Sequence, residues 1–321
     1  MAGKTVKLVS APTLLVILGP TASGKSGIAH EVARRRGGEV VSADAFAVYR
    51  GFDVGTAKPS RQRQAEIPYH LIDVADWREH YSAGRWARDA RSAIGDIVRR
   101  GSLPIVCGGS GFYLEALLEG LPPGEAADPA MRTALAGWAR DRPAQAHRLL
   151  EINDPVSARR IPPANLRYTL RALEILLATG RRASERARPG GGWLARWQVV
   201  KIGLAPARED LYATIGERVA QMLDSGWADE VRRLLEEGAR PDSNAFQAIG
   251  YREVADWVEG RIDRAVAQER IVAATRQLAR KQRTWFARER DVEWVSPAEA
   301  LELALARLSE SSGEKEADGD E

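Results

Sequence analysis

The sequence predicts an α/β protein, a doubly wound parallel sheet that carries a helical insertion domain and ends in a helical C-terminal region. Three observations predict it. Short apolar runs alternate with amphipathic stretches in the first part of the chain, strand character then disappears between about residues 124 and 180, and one alternating run returns afterwards. Strands joined by helices lie parallel, and such crossovers are right-handed.

Leu14-Leu-Val-Ile-Leu18 is a continuous apolar run ending at Gly19-Pro20, the pattern of a strand buried on both faces. A glycine-rich turn leads into Lys25–Arg36, which reads as an amphipathic helix. Glu39–Ala43 is a second short strand and Leu71–Val74 a third. Ser82–Arg100 has helical periodicity, with Ser82 as its N-cap. Leu103–Cys107 is another strand, broken by Gly108-Gly109. From Leu121-Pro-Pro-Gly124 to about Thr179 the chain reads as helical, and Arg181–Gly192 reads as a linker rich in Arg and Gly. Trp197–Leu204 alternates like a strand that rejoins the sheet. Helices are expected at about Arg208–Glu237, Tyr251–Glu259 and Asp263–Arg290. The expected domains are a first core segment 1–123, an insertion 124–185, a return to the core with C-terminal helices 186–308, and a disordered acidic tail 309–321.

Charge and composition narrow the classes of function. The tail carries six acids and one lysine, so the net charge of +3 conceals a body of +8. A basic, Arg-rich body suits a polyanion partner. The single cysteine, Cys107, excludes an internal disulfide and a Cys-rich zinc site. No apolar run approaches the roughly 20 residues of a membrane span, and the first residues lack a signal-peptide pattern. A cytoplasmic monomer with no membrane partner is expected.

Gly19-Pro-Thr-Ala-Ser-Gly24-Lys25-Ser26 fits G-x-x-x-x-G-K-[ST] between a predicted strand and a predicted helix. Glycines let backbone N–H groups turn inward around phosphate oxygens, and the helix N-terminus adds positive potential. Gly19, Pro20, Thr21, Ala22, Ser23, Gly24, Lys25 and Ser26 are therefore the candidate phosphate-binding residues, with Ser26 a candidate ligand for Mg²⁺. Most such loops serve γ-phosphoryl chemistry, which needs a Mg²⁺-holding Asp, typically at a strand end. Leu103–Cys107 ends instead in Cys-Gly-Gly. Asp44, after the second strand, could hold metal or act as a base, and Asp73 is the other candidate.

Several further motifs resemble the tRNA dimethylallyltransferase (tRNA isopentenyltransferase) family in its bacterial form, over about Leu14 to Arg288. They are Ser42-Ala-Asp-Ala-Phe-Ala-Val-Tyr49, Asp53-Val-Gly-Thr-Ala-Lys-Pro59, His70-Leu-Ile-Asp73, Tyr81-Ser-Ala-Gly-Arg85 and Gly108-Gly-Ser-Gly-Phe-Tyr-Leu-Glu-Ala-Leu-Leu118. Arg171-Ala-Leu-Glu174, Ala248-Ile-Gly-Tyr-Arg252 and Thr275-Arg-Gln-Leu-Ala-Arg-Lys-Gln-Arg-Thr-Trp-Phe286 complete the series. The resemblance implies transfer of a dimethylallyl group from dimethylallyl diphosphate to the adenosine 3′ of a tRNA anticodon. It also implies catalytic roles for Asp44 (general base), Arg218, Thr21 and Lys25. The tRNA contacts it implies are Asp44, Ala45, Phe46, Ala47, Ser110, Arg132, Arg167, Arg171, Gln247, Ala248, Ile249, Gly250, Tyr251, Arg252, Arg280, Lys281, Gln282, Arg283, Thr284 and Trp285. The chain departs from the family pattern at Ala45, Ala47, Leu166, Tyr168 and Ala287. Alternative readings are an adenylate isopentenyltransferase acting on a free nucleotide, a small-molecule kinase, and a nucleotide-gated RNA-binding protein.

Overall fold

Every residue from Leu14 to Leu18 is fully buried, as five consecutive apolar side chains demand. They form most of β1 (Thr13–Leu18) in a computed structural model that describes residues 11–121, 129–185 and 192–312. Gly38–Ser42 (β2), Tyr69–His70 (β3), Leu103–Gly108 (β4), Gln198–Leu204 (β5) and Glu293–Val295 (β6) complete one sheet. Its order is β3-β2-β4-β1-β5-β6, and every pairing is parallel. Leu15 of β1 lies between Ile105 of β4 and Val200 of β5.

The helices between the early strands are α1 (Lys25–Arg36), α2 (Arg61–Glu66), α3 (Ala83–Arg99) and α4 (Gly111–Leu118). The insertion holds α5 (Pro129–Ala139), α6 (Pro143–Asn153), α7 (Pro155–Arg160) and α8 (Leu166–Thr179). After β5 come α9 (Arg208–Asp224), α10 (Trp227–Glu236), α11 (Tyr251–Val258), α12 (Arg264–Phe286) and α13 (Ala300–Ser312). Leu15, Ile17, Ile105 and Ile202 pack against Val32 and Ala33 of α1 and Ala304 and Leu308 of α13. Each large aliphatic so buried contributes about 1.5–3 kcal/mol. The β1–β2 and β3–β4 crossovers run in opposite directions along the sheet, so right-handed connections put α1 and α3 on opposite faces. Trp86 of α3 is fully buried and its indole N–H donates to Ser42 O at 2.9 Å, so its one polar atom is satisfied.

The chain divides into two compact units, one formed by residues up to Leu118 together with those from Trp193 on, the other by Glu119–Gly192. The second unit has its own apolar centre of Leu150, Ala158, Ala172 and Leu173.

The structure corrects four local expectations. Leu71–Val74 is not a strand, because Leu71 (φ 60°) and Asp73 (φ 55°) are left-handed; the strand lies just before, at Tyr69–His70. The single helix expected over Arg208–Glu237 is two, broken at Gly226 (φ 88°). The strand β6 went unseen because three residues amid charge leave no periodic signal. The acidic segment expected to be disordered from residue 309 is helical through Ser312, as the end of α13, and 313–321 lie outside the described residues. Among the described residues no helix is long and apolar enough to cross a membrane.

Candidate active site

β1, β2 and β4 are adjacent in the sheet, so the segments leaving their carboxyl ends meet. The loop after β1 is the phosphate loop. Its Gly24 (φ 85°) is the N-cap of α1, a conformation that a side chain resists, and no side chain caps the helix there. The first N–H groups of α1 are thus left available to an anion. Ala22 is also left-handed (φ 62°), which costs about 1–2 kcal/mol in a non-glycine residue. The hydroxyl of buried Ser23 has no hydrogen-bond partner among the described residues. Lys25 Nζ donates to Pro20 O at 2.9 Å, folding the lysine back over its own loop.

Asp44 follows β2. Its Oδ1 accepts the N–H groups of Phe46 (2.8 Å) and Ala47 (3.1 Å), which fixes the carboxylate at the head of the turn. Its Oδ2 makes no hydrogen bond with the described residues. The turn after β4 braces this segment from the next strand. Ser110 N–H donates to Ala43 O at 3.1 Å, and Ser110 Oγ accepts the Ala45 N–H at 3.0 Å.

Arg218, on α9, is half-buried and makes no hydrogen bond or ion pair with the described residues. Burial holds its guanidinium below its ordinary value, and only the charge of Asp44 opposes that fall. Lys25 is likewise held below the lysine range, first by burial and then by Arg218, while Cys107 and Asp44 oppose the fall. Two cations therefore act against each other, and the charge of Asp44 acts in favour of both. Such an arrangement is costly until an anion joins it. Burial also pushes the Cys107 thiol, at the end of β4, up to about 11, with Lys25 and a hydrogen bond from Ser26 moderating the rise.

The helix α12 closes the site. Gln282 Oε1 accepts the Thr21 N–H at 2.7 Å, and Gln282 Nε2 donates to Gly109 O at 2.9 Å. The Trp285 ring packs against the backbone of Gly111. Arg280, Lys281, Arg283 and Thr284 of the same helix are exposed. The structure thus divides the expected RNA-contact run into an exposed face and an inward face, with Gln282 already bonded within the protein.

Of a second expected contact segment, Gln247–Arg252, the residues Gln247, Ala248, Ile249 and Arg252 line a cavity of ≈ 460 Å³ together with Phe246, Glu253 and Ala274. Gln247 and Arg252 are exposed there and Ile249 is half-buried. Ala248, Gly250 and Tyr251 are buried, so Gln247, Ile249 and Arg252 are the more accessible side chains of the segment. Ala47 is buried as well, while Ala45 and Phe46 are half-buried. Arg132 and Arg171 lie in the second unit, where both pair with buried Glu174, at 3.4 and 2.9 Å. Arg167 is exposed at the start of α8.

Sequence reasoning missed the side chains that hold the segment after Asp44. Glu230, buried on α10, accepts the N–H groups of Asp53 (2.9 Å) and Val54 (2.8 Å) and the Tyr251 hydroxyl (2.6 Å). Asn244 donates to the Tyr49 hydroxyl at 2.7 Å. Lys58, whose side chain is buried, pairs with Asp53 (2.7 Å) and Asp73 (2.5 Å), so Asp73 is a structural partner of Lys58. The motif containing Lys58 was visible, but nothing in it said that a lysine would be enclosed.

Fold and site together define a P-loop α/β protein in which the Asp44 carboxylate lies close enough to the anion loop for its charge to act on Lys25. Family models described as "IPP transferase" and "Isopentenyl transferase" match residues 47–289 and 12–68. The chain belongs to the IPP transferase family. It is 43% identical to a tRNA dimethylallyltransferase of Thermomicrobium roseum over 96% of this chain and 94% of that one. Identity to the enzyme of the same name from Xylella fastidiosa is also 43%, over 89% and 93%. The crystal structure of a tRNA isopentenylpyrophosphate transferase from Staphylococcus epidermidis is similar with TM-score 0.67 and 34% identity, covering 95% of this chain and all of that one. A structure of a eukaryotic dimethylallyltransferase acting on tRNA is similar with TM-score 0.80 and 25% identity, covering 95% and 81%.

Proposed function

We propose that this protein transfers a dimethylallyl group from dimethylallyl diphosphate to the exocyclic amine of the adenosine 3′ of the anticodon in tRNA, releasing diphosphate. One observation carries the reading: Lys25 is folded over the anion loop with its Nζ on Pro20 O at 2.9 Å, and its charge is felt by half-buried Arg218 and by the Asp44 carboxylate. That site calls for an anion and offers a base next to it. Relatives that carry the tRNA dimethylallyltransferase name over nearly their whole length support the substrates.

The adenine amine is a weak nucleophile, because its lone pair is delocalised into the ring. As its nitrogen forms a bond to the allylic carbon, the carbon–oxygen bond to diphosphate breaks and its electron pair leaves with the diphosphate. The amine proton passes to Asp44, through the Oδ2 that the Phe46 and Ala47 amides leave free. Lys25, Arg218 and the first amides of α1 receive the charge that develops on the leaving group. Thr21, through its N–H on Gln282 Oε1, holds the loop to α12.

Mg²⁺ fits this donor set. Among the described residues no trio of His, Cys, Asp or Glu side chains could cage a metal unaided. Mg²⁺ commonly uses one or two protein ligands, substrate phosphates and water, and Ser26 supplies a hydroxyl at the start of α1. When bound, the ion would add positive charge at the diphosphate.

The RNA side of the reading assigns phosphate contacts to Arg280, Lys281 and Arg283 and base or backbone contacts to Gln247, Ile249 and Arg252. Arg132, Arg167 and Arg171 of the second unit are assigned to the anticodon stem. The adenosine must leave its stack to reach Asp44, as in other enzymes that modify a base. A monomer acting in the cytoplasm, where tRNA is found, completes the proposal.

The test is mass spectrometry of tRNA incubated with protein, Mg²⁺ and dimethylallyl diphosphate. One adenosine should gain a five-carbon group, and free AMP should not. Asp44→Asn, which keeps the Oδ1 hydrogen bonds, should lower turnover about 10²–10⁴-fold and leave tRNA affinity intact. Modification of AMP alone would assign the chain to free nucleotides instead.

A further inference from the structure

Thr21 and Gly109 belong to different connections, the loop after β1 and the turn after β4, yet one side chain bonds to both. Gln282 accepts from the Thr21 N–H and donates to the Gly109 carbonyl, at 2.7 and 2.9 Å. A carboxamide suits this task because it carries an acceptor and a donor on one planar group. The helix delivers it rigidly. Ala279 and Phe286, about one turn away on either side, are fully buried, so α12 has no freedom to turn about its axis. The receiving side is equally tight, since a Cβ on Gly109 would stand 2.5 Å from Gln282 Nε2. Beyond Gly109, the Ser110 hydroxyl holds the Ala45 N–H beside Asp44. Gln282 thus reaches the phosphate loop directly, and the segment of the base through Gly109 and Ser110.

We infer that Gln282 is a positioning residue for the transfer: its carboxamide sets the separation between the diphosphate loop and the Asp44 segment and is not an RNA contact. The inference rests on the proposed function for the reaction it serves. Contact with RNA through the same carboxamide would break one of its two bonds and leave the Thr21 N–H or the Gly109 carbonyl without its partner. In-line attack depends on the placement of amine, allylic carbon and leaving group, and an error of ~1 Å costs about 10²-fold in rate. The Asp44 segment is tied to the turn after β4 by the Ser110 bonds, and Gln282 ties that turn to the loop that carries Thr21.

Gln282→Met keeps length and volume and removes both bonds, whereas Gln282→Glu keeps the acceptor for Thr21 and loses the donor for Gly109. Both variants and the wild type are assayed for kcat and KM with tRNA and dimethylallyl diphosphate, for tRNA affinity by filter binding, for binding of inorganic diphosphate by calorimetry, and for thermal midpoint. The expected result for Gln282→Met is a kcat about 10²-fold lower, weakened diphosphate binding and unchanged tRNA affinity. Gln282→Glu should raise the KM for dimethylallyl diphosphate further, since its charge lies beside the loop. Gly109→Ala pushes the carboxamide away from the opposite side, so it should reproduce the kcat loss and add little to Gln282→Met. Weaker tRNA binding with kcat intact would overturn the inference in favour of an RNA contact. A lower midpoint with kcat intact would overturn it in favour of a purely structural role. A wild type that does not prenylate tRNA would sink the proposed function itself, a result separate from a wild type that prenylates and a Gln282→Met that matches it.

Discussion

The Tyr251 hydroxyl donates to Glu230 Oε1 at 2.6 Å, while Oε2 of the same carboxylate takes the backbone N–H groups of Asp53 and Val54. Burial, and then the charge of Glu230, hold the tyrosine well above its usual range, so it remains a neutral donor. Three donors from two parts of the chain converge on one buried group, and the loop after Asp44 is closed by it. Glu230→Ala strands two backbone N–H groups and a hydroxyl, and a buried group left unmet costs about 1–3 kcal/mol. Tyr251→Phe leaves the backbone donors satisfied. Urea titration should therefore show a larger fall in midpoint for Glu230→Ala than for Tyr251→Phe. The reverse order would mean that Glu230 serves the tyrosine and not the loop.

Arg218 and Lys25 repel each other in the free protein, where the Asp44 charge offsets both, and an incoming anion would add to that offset. Arg218→Met should lower kcat by about 10²–10³-fold, the scale of losing one fixed group aimed at developing charge. The free variant should melt no lower than the wild type, because a desolvated and unpaired cation is gone. Thermal melts with and without inorganic diphosphate check both halves. A lower midpoint in the free variant would show that Arg218 is held by a favourable interaction of its own.

Lys25 gives a pH dependence of definite sign. Burial lowers its value in the folded protein below the ~10.4 of an unfolded chain. Between those two values the unfolded chain binds more protons, so this group's contribution to stability rises with pH through the window. Diphosphate affinity falls through the same window as the ammonium is lost. Calorimetric titration with diphosphate across alkaline pH should show the affinity declining before an ordinary lysine would titrate. Lys25→Arg should flatten that decline, and an equally steep decline in the variant would assign the effect to another group.

Lys281 is exposed on the outer face of α12, in sequence next to a residue that faces inward. Lys281→Ala should weaken tRNA binding and reduce the slope of log affinity against log salt by roughly 0.7–0.9, the value of one phosphate contact. It should leave diphosphate binding unchanged. An unaltered slope would remove this face of α12 from the RNA surface.

Much of this architecture is legible locally. The run Leu14–Leu18 can only be a strand buried on both faces, and Gly24-Lys25-Ser26 between it and a helix start can hardly be other than an anion loop. Ser82 does cap α3 as its hydroxyl chemistry suggests, accepting the Arg85 N–H at 3.2 Å. The short strand β3 and the break at Gly226 were not legible, because in each case two or three backbone angles decide and no periodicity records them.

The sequence by itself determined what depends on near neighbours: the strands, the helix starts, the phosphate loop and a carboxylate placed just after a strand. Only the tertiary structure decided which distant groups complete the site. Gln282 lies 261 residues from Thr21 and Glu230 lies 177 from Asp53, and no local pattern encodes such pairs. It also decided which members of a motif face outward. Tyr251 and Arg252 are consecutive, yet one is fully buried and the other exposed. A helix turns each side chain by a fixed angle, but what lies on each side of the helix is settled by the packing of the whole chain.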